Sequence, residues 1–177
     1  KRNQYLEGTG SMVFDHCNKI IFACLSPRTD LELLIHYSDL LKYKLFYFNA
    51  FDEANRAIYH TNVMMAIGID FVVICLRSIE ENKRSEIIKI FEKTDKEIID
   101  ISFDQMNHFA GNMLQLFGAD NTPFLVMSQT AYDSLFEEQR TRLLKRTNLL
   151  PVKIDIIETI GGGSARCMMA EIFLPKI

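Results

Sequence analysis

Apolar and polar residues follow one another in an order that repeats along the chain. The first copy has two short apolar runs, Met12–Phe14 and Ile20–Leu25, joined by a spacer containing Asp and Asn that is typical of a hairpin turn. Leucines at helical spacing then predict a helix with Ser26 as its N-cap, continuing to about Lys42. An aromatic-rich strand over Leu45–Phe48 completes a strand–strand–helix–strand unit.

The same order returns twice. In each later copy, two apolar runs flank a polar turn, a serine is placed to cap a helix, and a third apolar run returns as a strand. The predicted elements are strands Val63–Ile67 and Phe71–Leu76, a helix capped by Ser78 and strand Glu97–Ile101, followed by strands Met113–Phe117 and Phe124–Met127, a helix from Ser128 to about Arg146 and strand Val152–Ile157.

The predicted capping serines set the period of the repeat. Ser26, Ser78 and Ser128 are 52 and 50 positions apart. Each unit buries one face of its sheet under its own helix and needs neighbours to cover the rest. We therefore predict an α/β fold in which the units form a ring about a pseudo-symmetry axis. The units span about residues 6–50, 58–102 and 109–158, and a closing strand lies within 161–175.

Composition limits the classes of protein that fit. The chain has 177 residues, is 48% hydrophobic and carries a net charge of −3, which predicts one soluble globular domain over residues 1–177. Lysine and arginine total 20 against 23 acidic residues, with no basic run longer than two, so nucleic acid is not an expected partner. No apolar run reaches about 18 residues, so no membrane span is predicted.

The cysteines and histidines do not predict a metal or cofactor site. Cys17, Cys24, Cys75 and Cys167 lack framework or metal-ligand spacing and indicate reduced thiols in a cytoplasmic protein. The four histidines lack mutual i, i+4 spacing. Gly161–Gly163 precedes a predicted strand and lacks the Gly-Lys-Ser/Thr ending of a phosphate loop. We expect no metal and no cofactor.

The repeat predicts which residues lie together at one candidate site. In each copy, one residue immediately precedes the first strand. Cys167 holds the same place before Met168, at the start of the closing apolar run that we predict as a strand to Leu174. These residues are Ser11, Asn62, Asn112 and Cys167, spaced by 51, 50 and 55 positions. Residues that are equivalent by repeat take equivalent places around an axis, so the four should surround one centre.

Cys167 is the candidate nucleophile at that centre. Three glycines precede it, which permits close approach of another group, and its neighbour Arg166 is a cation that favours the reactive thiolate. The alternative is a buried cysteine that only packs.

Glu7 and His60 lie on the loops that approach the same centre. A histidine can activate a thiol, and a carboxylate can orient that histidine. The alternatives are a structural histidine and a solvated acid. For Asn62 and Asn112, the alternative is an amide that caps a turn.

Four motifs in order resemble the pentein, or guanidino-group-modifying, superfamily, which includes arginine deiminases, dimethylarginine hydrolases and glycine amidinotransferases. The likeness is greatest to a bacterial amidinotransferase-like subgroup associated with citrulline hydrolysis. The motifs are Leu6-Glu7-Gly8-Thr9-Gly10, Leu25-Ser26-Pro27-Arg28-Thr29-Asp30, Tyr59-His60-Thr61-Asn62 and Gly161-Gly162-Gly163-Ser164-Ala165-Arg166-Cys167.

The resemblance implies an α/β-propeller of five strand–strand–helix–strand modules. About three modules are found here, and the chain begins with Lys1. We therefore expect a C-terminal portion of a longer domain, truncated at its N-terminus. Such a piece alone is expected to be inactive or to associate with a second copy, because an incomplete ring leaves strand edges uncovered.

The resemblance also implies roles for the candidate residues. Cys167 would attack the guanidino or ureido carbon, His60 would protonate the leaving amine and then activate water, and Glu7 would orient His60. Arg28 matches the position that binds the carboxylate of the amino acid, where a guanidinium suits bidentate contact. Asn62, Asn112 and Arg166 complete the predicted substrate contacts.

Two departures from the deiminase pattern bear on the substrate. Deiminases carry an acid at the position of Asn62 and another at the position of Gly10. An amide both donates and accepts hydrogen bonds, which suits a neutral ureido group better than a cationic guanidinium. We therefore expect a small-molecule ureido or guanidino amino acid as substrate, with citrulline favoured over arginine. The remaining alternatives are amidino transfer to an amine and a non-catalytic pentein, since the superfamily includes a ribosome-associated translation factor.

Overall fold

The computed structural model describes residues 4–171, which contain three small sheets of three strands each. In every sheet the first strand pairs antiparallel with the second, and the second pairs parallel with the third. The strands are β1 (Val13–Asp15), β2 (Ile20–Cys24), β3 (Lys44–Phe48), β4 (Met65–Ile67), β5 (Phe71–Ile74), β6 (Glu97–Asp100), β7 (Leu114–Phe117), β8 (Pro123–Ser128) and β9 (Asn148–Val152). The predicted threefold repeat is therefore confirmed.

Helices make the connection between the second and third strands, as a parallel pair requires. Further short helices precede or follow the sheets. The α-helices are α1 (Gly8–Ser11), α2 (Leu31–Leu41), α3 (Glu81–Lys93), α4 (Phe103–Asn107), α5 (Gln129–Ser134), α6 (Glu137–Leu144) and α7 (Asp155–Gly161). Within residues 4–171, none of the helices is long and apolar enough to cross a membrane.

Two of the three predicted caps are wrong. Asp30, not Ser26, caps α2 by accepting the Leu33 N–H at 3.1 Å. Ser26 instead closes a turn with Thr29, and its hydroxyl donates to the carbonyl of Tyr59. Its oxygen accepts the Arg28 N–H at 3.1 Å within this turn, and α2 begins only at Leu31.

In the second module, Ser78 ends a short 3₁₀ helix, and its hydroxyl donates to the carbonyl of Cys75. The helix α3 begins later, at Glu81. In the third module the prediction was right, because the Ser128 hydroxyl accepts the Ala131 N–H at 3.0 Å. The serines mark the repeat correctly even where they do not cap.

The end of the third module differs most from expectation. The helix predicted from Ser128 to Arg146 is two helices, α5 and α6, separated where buried Leu135 takes an extended conformation. The returning strand is Asn148–Val152 rather than Val152–Ile157. Val152 pairs with Ser128, the last residue of β8, so a longer strand would have no partner. The chain continues instead as α7.

The predicted closing strand is wrong at its start. Cys167 lies in a 3₁₀ helix, Ala165–Met168, because the Cys167 N–H turns back to the carbonyl of Ser164. The rest of the predicted strand, from residue 172 onward, lies outside the described residues.

The first strands of the modules stand side by side, with β4 between β1 and β7. One continuous apolar core runs through all three modules, from Phe22 and Phe48 through Phe91 to Leu143. A buried ion pair also crosses the first boundary, because the Lys96 ammonium lies 3.2 Å from Oδ2 of Asp15. Residues that precede equivalent first strands are thereby brought to one end of the assembly.

Candidate active site

Glu7 and His60 meet although they are 53 positions apart. Nε2 of His60 lies 2.7 Å from Oε2 of Glu7. A carboxylate only accepts hydrogen bonds, so the pairing places a proton on Nε2. The backbone around Glu7 is fixed, since its N–H donates to the Ser11 hydroxyl at 3.0 Å.

Thr61 holds the loop that carries His60. Its buried hydroxyl donates to the carbonyl of Ser11 at 2.6 Å and accepts the N–H of Cys24 at 2.8 Å. This side chain therefore joins the start of the second module to the first. Sequence reasoning missed this role, and the only signal was a Thr beside the candidate histidine.

Arg28 lies at the exposed edge of the Glu7–His60 pair. Its Nη1 is 3.5 Å from Oε2 of Glu7, and its guanidinium carbon lies 5.1 Å from the ring centroid of Tyr59. The Tyr59 ring also packs against the imidazole of His60. The structure thus places Arg28 at the site, with N–H groups left for an anion. The sequence analysis did not identify the role of Tyr59.

Asn112 connects the second module to the candidate nucleophile. Its Nδ2 donates to the carbonyl of Asn62 at 3.0 Å and lies 3.3 Å from Sγ of Cys167. Its Oδ1 accepts the N–H of Arg166 at 3.1 Å. The positions that the repeat makes equivalent are therefore in contact in turn: Asn62 with Asn112, and Asn112 with Cys167.

Asn62 presents an unused acceptor. The residue is buried, and its Oδ1 has no hydrogen-bond partner within residues 4–171. Leaving such a group unpaired costs about 1–3 kcal/mol. An N–H group of a ligand would remove that cost.

The Cys167 thiol is exposed, unlike the thiols of Cys24 and Cys75. Cys167 and Cys17 are exposed, whereas Cys24 and Cys75 are buried, and all four are free. Burial raises the pKa of Cys24 to about 11 and also raises that of Cys75. A Cβ on Gly163 would lie 3.3 Å from Cβ and 3.4 Å from Sγ of Cys167, so a side chain at this position would crowd Cys167 slightly.

Arg166 is buried, and its Nη1 donates to the carbonyl of Met169 at 2.8 Å. Burial lowers the pKa of its guanidinium, while Glu171 and Cys167 act in the opposite direction. The side chain also borders a cavity of about 350 Å³ between the first strands, which Glu7, His60 and Cys167 do not line. The role of Arg166 as a substrate contact stays a prediction.

Across residues 4–171, no group of three or more His, Cys, Asp or Glu residues is arranged to hold a metal ion. The reactive groups of the candidate site are the Cys167 thiol, the His60 imidazole and the Glu7 carboxylate. The amides of Asn62 and Asn112 and the exposed guanidinium of Arg28 accompany them.

Comparison with protein families gives a match over nearly the whole chain. The family model described as N,N dimethylarginine dimethylhydrolase, eukaryotic, matches residues 1–174. No curated protein gives a significant match to the sequence.

Several solved structures share the fold. AgrE in its ternary complex with ornithine and NAD⁺ matches 100% of this chain at 15% identity and a TM-score of 0.76. The product-bound N-terminal domain of ArgZ, an arginine dihydrolase from the ornithine-ammonia cycle in cyanobacteria, matches 94% at 15% identity and a TM-score of 0.73. SxtG, an amidinotransferase from Microseira wollei in the saxitoxin biosynthetic pathway, matches 89% at 12% identity and a TM-score of 0.59.

The chain spans 24% of the AgrE chain, 56% of the ArgZ domain and 42% of SxtG. At these identities the likeness to solved structures concerns the fold, whereas the family model covers nearly the whole sequence. The chain belongs to the family of that model, N,N dimethylarginine dimethylhydrolase, eukaryotic, within the pentein superfamily.

Proposed function

We propose that the whole protein is a cysteine hydrolase that cleaves a C–N bond of a ureido or guanidino amino acid, with citrulline favoured and arginine second. The observation that carries the proposal is the 2.7 Å contact between His60 and Glu7, together with the line of contacts from Asn62 through Asn112 to Cys167. A non-catalytic pentein would not need this combination.

In the proposed reaction, the Cys167 thiolate attacks the ureido carbon of citrulline. The C–N bond to the side chain breaks, His60 gives a proton to the leaving nitrogen, and ornithine departs. A carbamoyl group remains on Sγ. His60 then takes a proton from the water molecule that attacks the carbamoyl carbon, and the C–Sγ bond breaks to return the thiolate. Carbamic acid is released and decomposes to ammonia and carbon dioxide.

Arg28 and Asn62 would hold the substrate. The exposed guanidinium of Arg28 suits the α-carboxylate of an amino acid. The unpaired Oδ1 of Asn62 suits an N–H of the ureido or guanidino group. Because Asn62 is neutral, it offers no charge to a guanidinium, and this supports citrulline over arginine.

The test measures turnover of citrulline and of arginine by the full-length protein. Release of ornithine and ammonia is the readout. We expect ornithine from citrulline, a carbamoyl adduct of Cys167 detectable by mass spectrometry, and no turnover after Cys167→Ala. The Asn62→Asp variant should lose activity on citrulline and gain it on arginine. An unchanged preference in that variant would contradict the citrulline proposal while leaving hydrolysis intact.

Amidino transfer is the second candidate, and the likeness to the amidinotransferase SxtG supports it. Product analysis with and without glycine as acceptor separates the two reactions, since transfer would yield an amidino-glycine product that hydrolysis cannot. A cytoplasmic location and association with a second copy remain proposals for the whole protein.

A further inference from the structure

Glu158 is a buried carboxylate on α7 that the proposed reaction does not use. Its Oε2 accepts the Thr130 hydroxyl at 2.7 Å, and its Oε1 accepts the Ser164 hydroxyl at 2.6 Å. Glu158 therefore joins α5, its own helix and the loop that follows.

Ser164 links this carboxylate to the candidate nucleophile. The residue is fully buried, and its carbonyl accepts the N–H of Cys167 at 3.0 Å. That bond starts the 3₁₀ helix Ala165–Met168, on which Cys167 lies. A shift of the Ser164 backbone would move Cys167 with it.

The connection between α7 and Ser164 consists of glycines. Gly161 is the last residue of α7, Gly162 takes a left-handed conformation with φ of 68°, and Gly163 precedes Ser164. Glycines give the backbone many accessible conformations. The side-chain bond from Ser164 to Glu158 removes that freedom at the point where the loop enters the site.

Stability alone does not account for this choice of residue. Within residues 4–171, Glu158 forms no ion pair, and its charge is held only by hydroxyl groups. Burying a carboxylate is costly, and an apolar side chain of similar volume is often as stable or more so. A residue that costs stability in this way is expected where it holds a functional group in position.

We propose that Glu158 is a positioning residue for the nucleophile: through Ser164 it fixes the glycine loop so that Sγ of Cys167 stays beside Asn112. This inference rests on the proposed function, because it takes Cys167 as the attacking group. Glu158 does not touch the substrate and acts only through the loop.

The experiment uses the full-length protein with Glu158→Gln, Thr130→Val and Thr130→Ser. We expect Glu158→Gln to lower kcat by about 10- to 100-fold, since a small misplacement of a reacting group has effects of this size, while KM changes by less than about threefold. Thr130→Val, which removes the hydroxyl, should lower kcat in the same direction. Thr130→Ser, which keeps it, should restore the wild-type value.

Glu97→Gln is the matched control. Glu97 is a partly buried acid that pairs with Arg142 and Arg146, away from the site, so this variant loses stability without disturbing the loop. Equal kcat in Glu158→Gln and Glu97→Gln, measured below both unfolding temperatures, would overturn the inference.

A second readout separates this inference from the proposed function. Iodoacetamide labelling followed by peptide mass spectrometry compares Cys167 with Cys17, the other exposed thiol. In Glu158→Gln the labelling rate of Cys167 should change and that of Cys17 should not. If the wild type shows no turnover, the proposed function fails, and the labelling ratio still decides the positioning role: an unchanged ratio overturns it.

Discussion

Gly10 and His60 are 50 positions apart in sequence, yet a Cβ atom on Gly10 would lie 2.7 Å from Nδ1 of His60 and 2.8 Å from its Cε1. Real Cβ atoms do not approach ring atoms so closely, so the imidazole keeps its place only because residue 10 has no side chain. The departure from the deiminase pattern at this position thus has a steric reason as well as an electrostatic one.

Replacing Gly10 with alanine should therefore displace the imidazole from Glu7. We expect kcat to fall by about 100-fold with little loss of fold, since a misplaced catalytic group has effects of this size. Gly161→Ala is the matched control, because Gly161 is also helical and its added Cβ would meet only Ile157, at 3.9 Å. Steady-state kinetics of both variants is the measurement, and equal activity would show that His60 tolerates the shift.

The four thiols should separate into two groups on alkylation at pH 7.5. Cys17 and Cys167 are exposed and should react, whereas buried Cys24 and Cys75 should not react until the protein unfolds. His60→Ala should slow labelling of Cys167 by about tenfold, because the base that activates the thiol is lost, and leave Cys17 unchanged. Parallel slowing of both thiols would point to a general structural effect instead.

The raised pKa of Cys24 predicts a loss of stability at high pH. Its thiol titrates at about 11 in the folded protein, against an ordinary value of 9.0, so the unfolded chain loses this proton first. Stability then falls as the pH rises from about 9 to 11. Over this range, wild type should lose about 2–3 kcal/mol more than Cys24→Ala.

Urea unfolding followed by circular dichroism at pH 8, 9, 10 and 11 measures this difference. The comparison with Cys24→Ala cancels the titration of lysines and tyrosines, which both proteins share. Parallel pH profiles for the two proteins would show that Cys24 does not cause the loss.

The buried Lys96–Asp15 pair should stabilise the contact between the first two modules. The Lys96 ammonium also donates to the carbonyls of Gly68 and Ile69, so removing it leaves several buried acceptors unpaired. We expect Lys96→Met to lower the free energy of unfolding by about 3–5 kcal/mol. Lys83→Met, which breaks the exposed pair with Glu86, should cost less than about 1 kcal/mol.

Urea denaturation of the single variants and of the double variant Lys96→Met, Asp15→Asn checks this coupling. The double variant should lose less than the sum of the two single losses, because each single change leaves a charged or polar partner alone. Strict additivity would mean that the two groups do not interact energetically.

The sequence alone determined the repeat and predicted which residues form the candidate site. Hydrophobic patterning located all three modules, since strands and helices bury faces with different periods and each module had to bury the same faces. The same repeat predicted that Asn62, Asn112 and Cys167 come together, and their contacts confirm it. The family that the motifs resemble was also right.

Local patterns were less reliable where one side chain could serve two purposes. Ser26 and Ser78 look like helix caps, but each hydroxyl makes a bond in a turn or across a module instead. The segment Val152–Ile157 looks like a strand. From Asp155 it forms α7 instead, with Ile156 and Ile160 69% and 82% exposed, because β8 ends at Ser128 and offers no further edge.

Only the tertiary structure decided the details on which chemistry depends. The contact of Gly10 with His60 and the hydrogen bond from Thr130 to Glu158 join residues that are 50 and 28 positions apart, and the unpaired oxygen of Asn62 follows from its burial. Such contacts follow from the relative placement of modules to within a few tenths of an ångström. A sequence pattern specifies which face of a segment is buried, but it does not specify distances between segments.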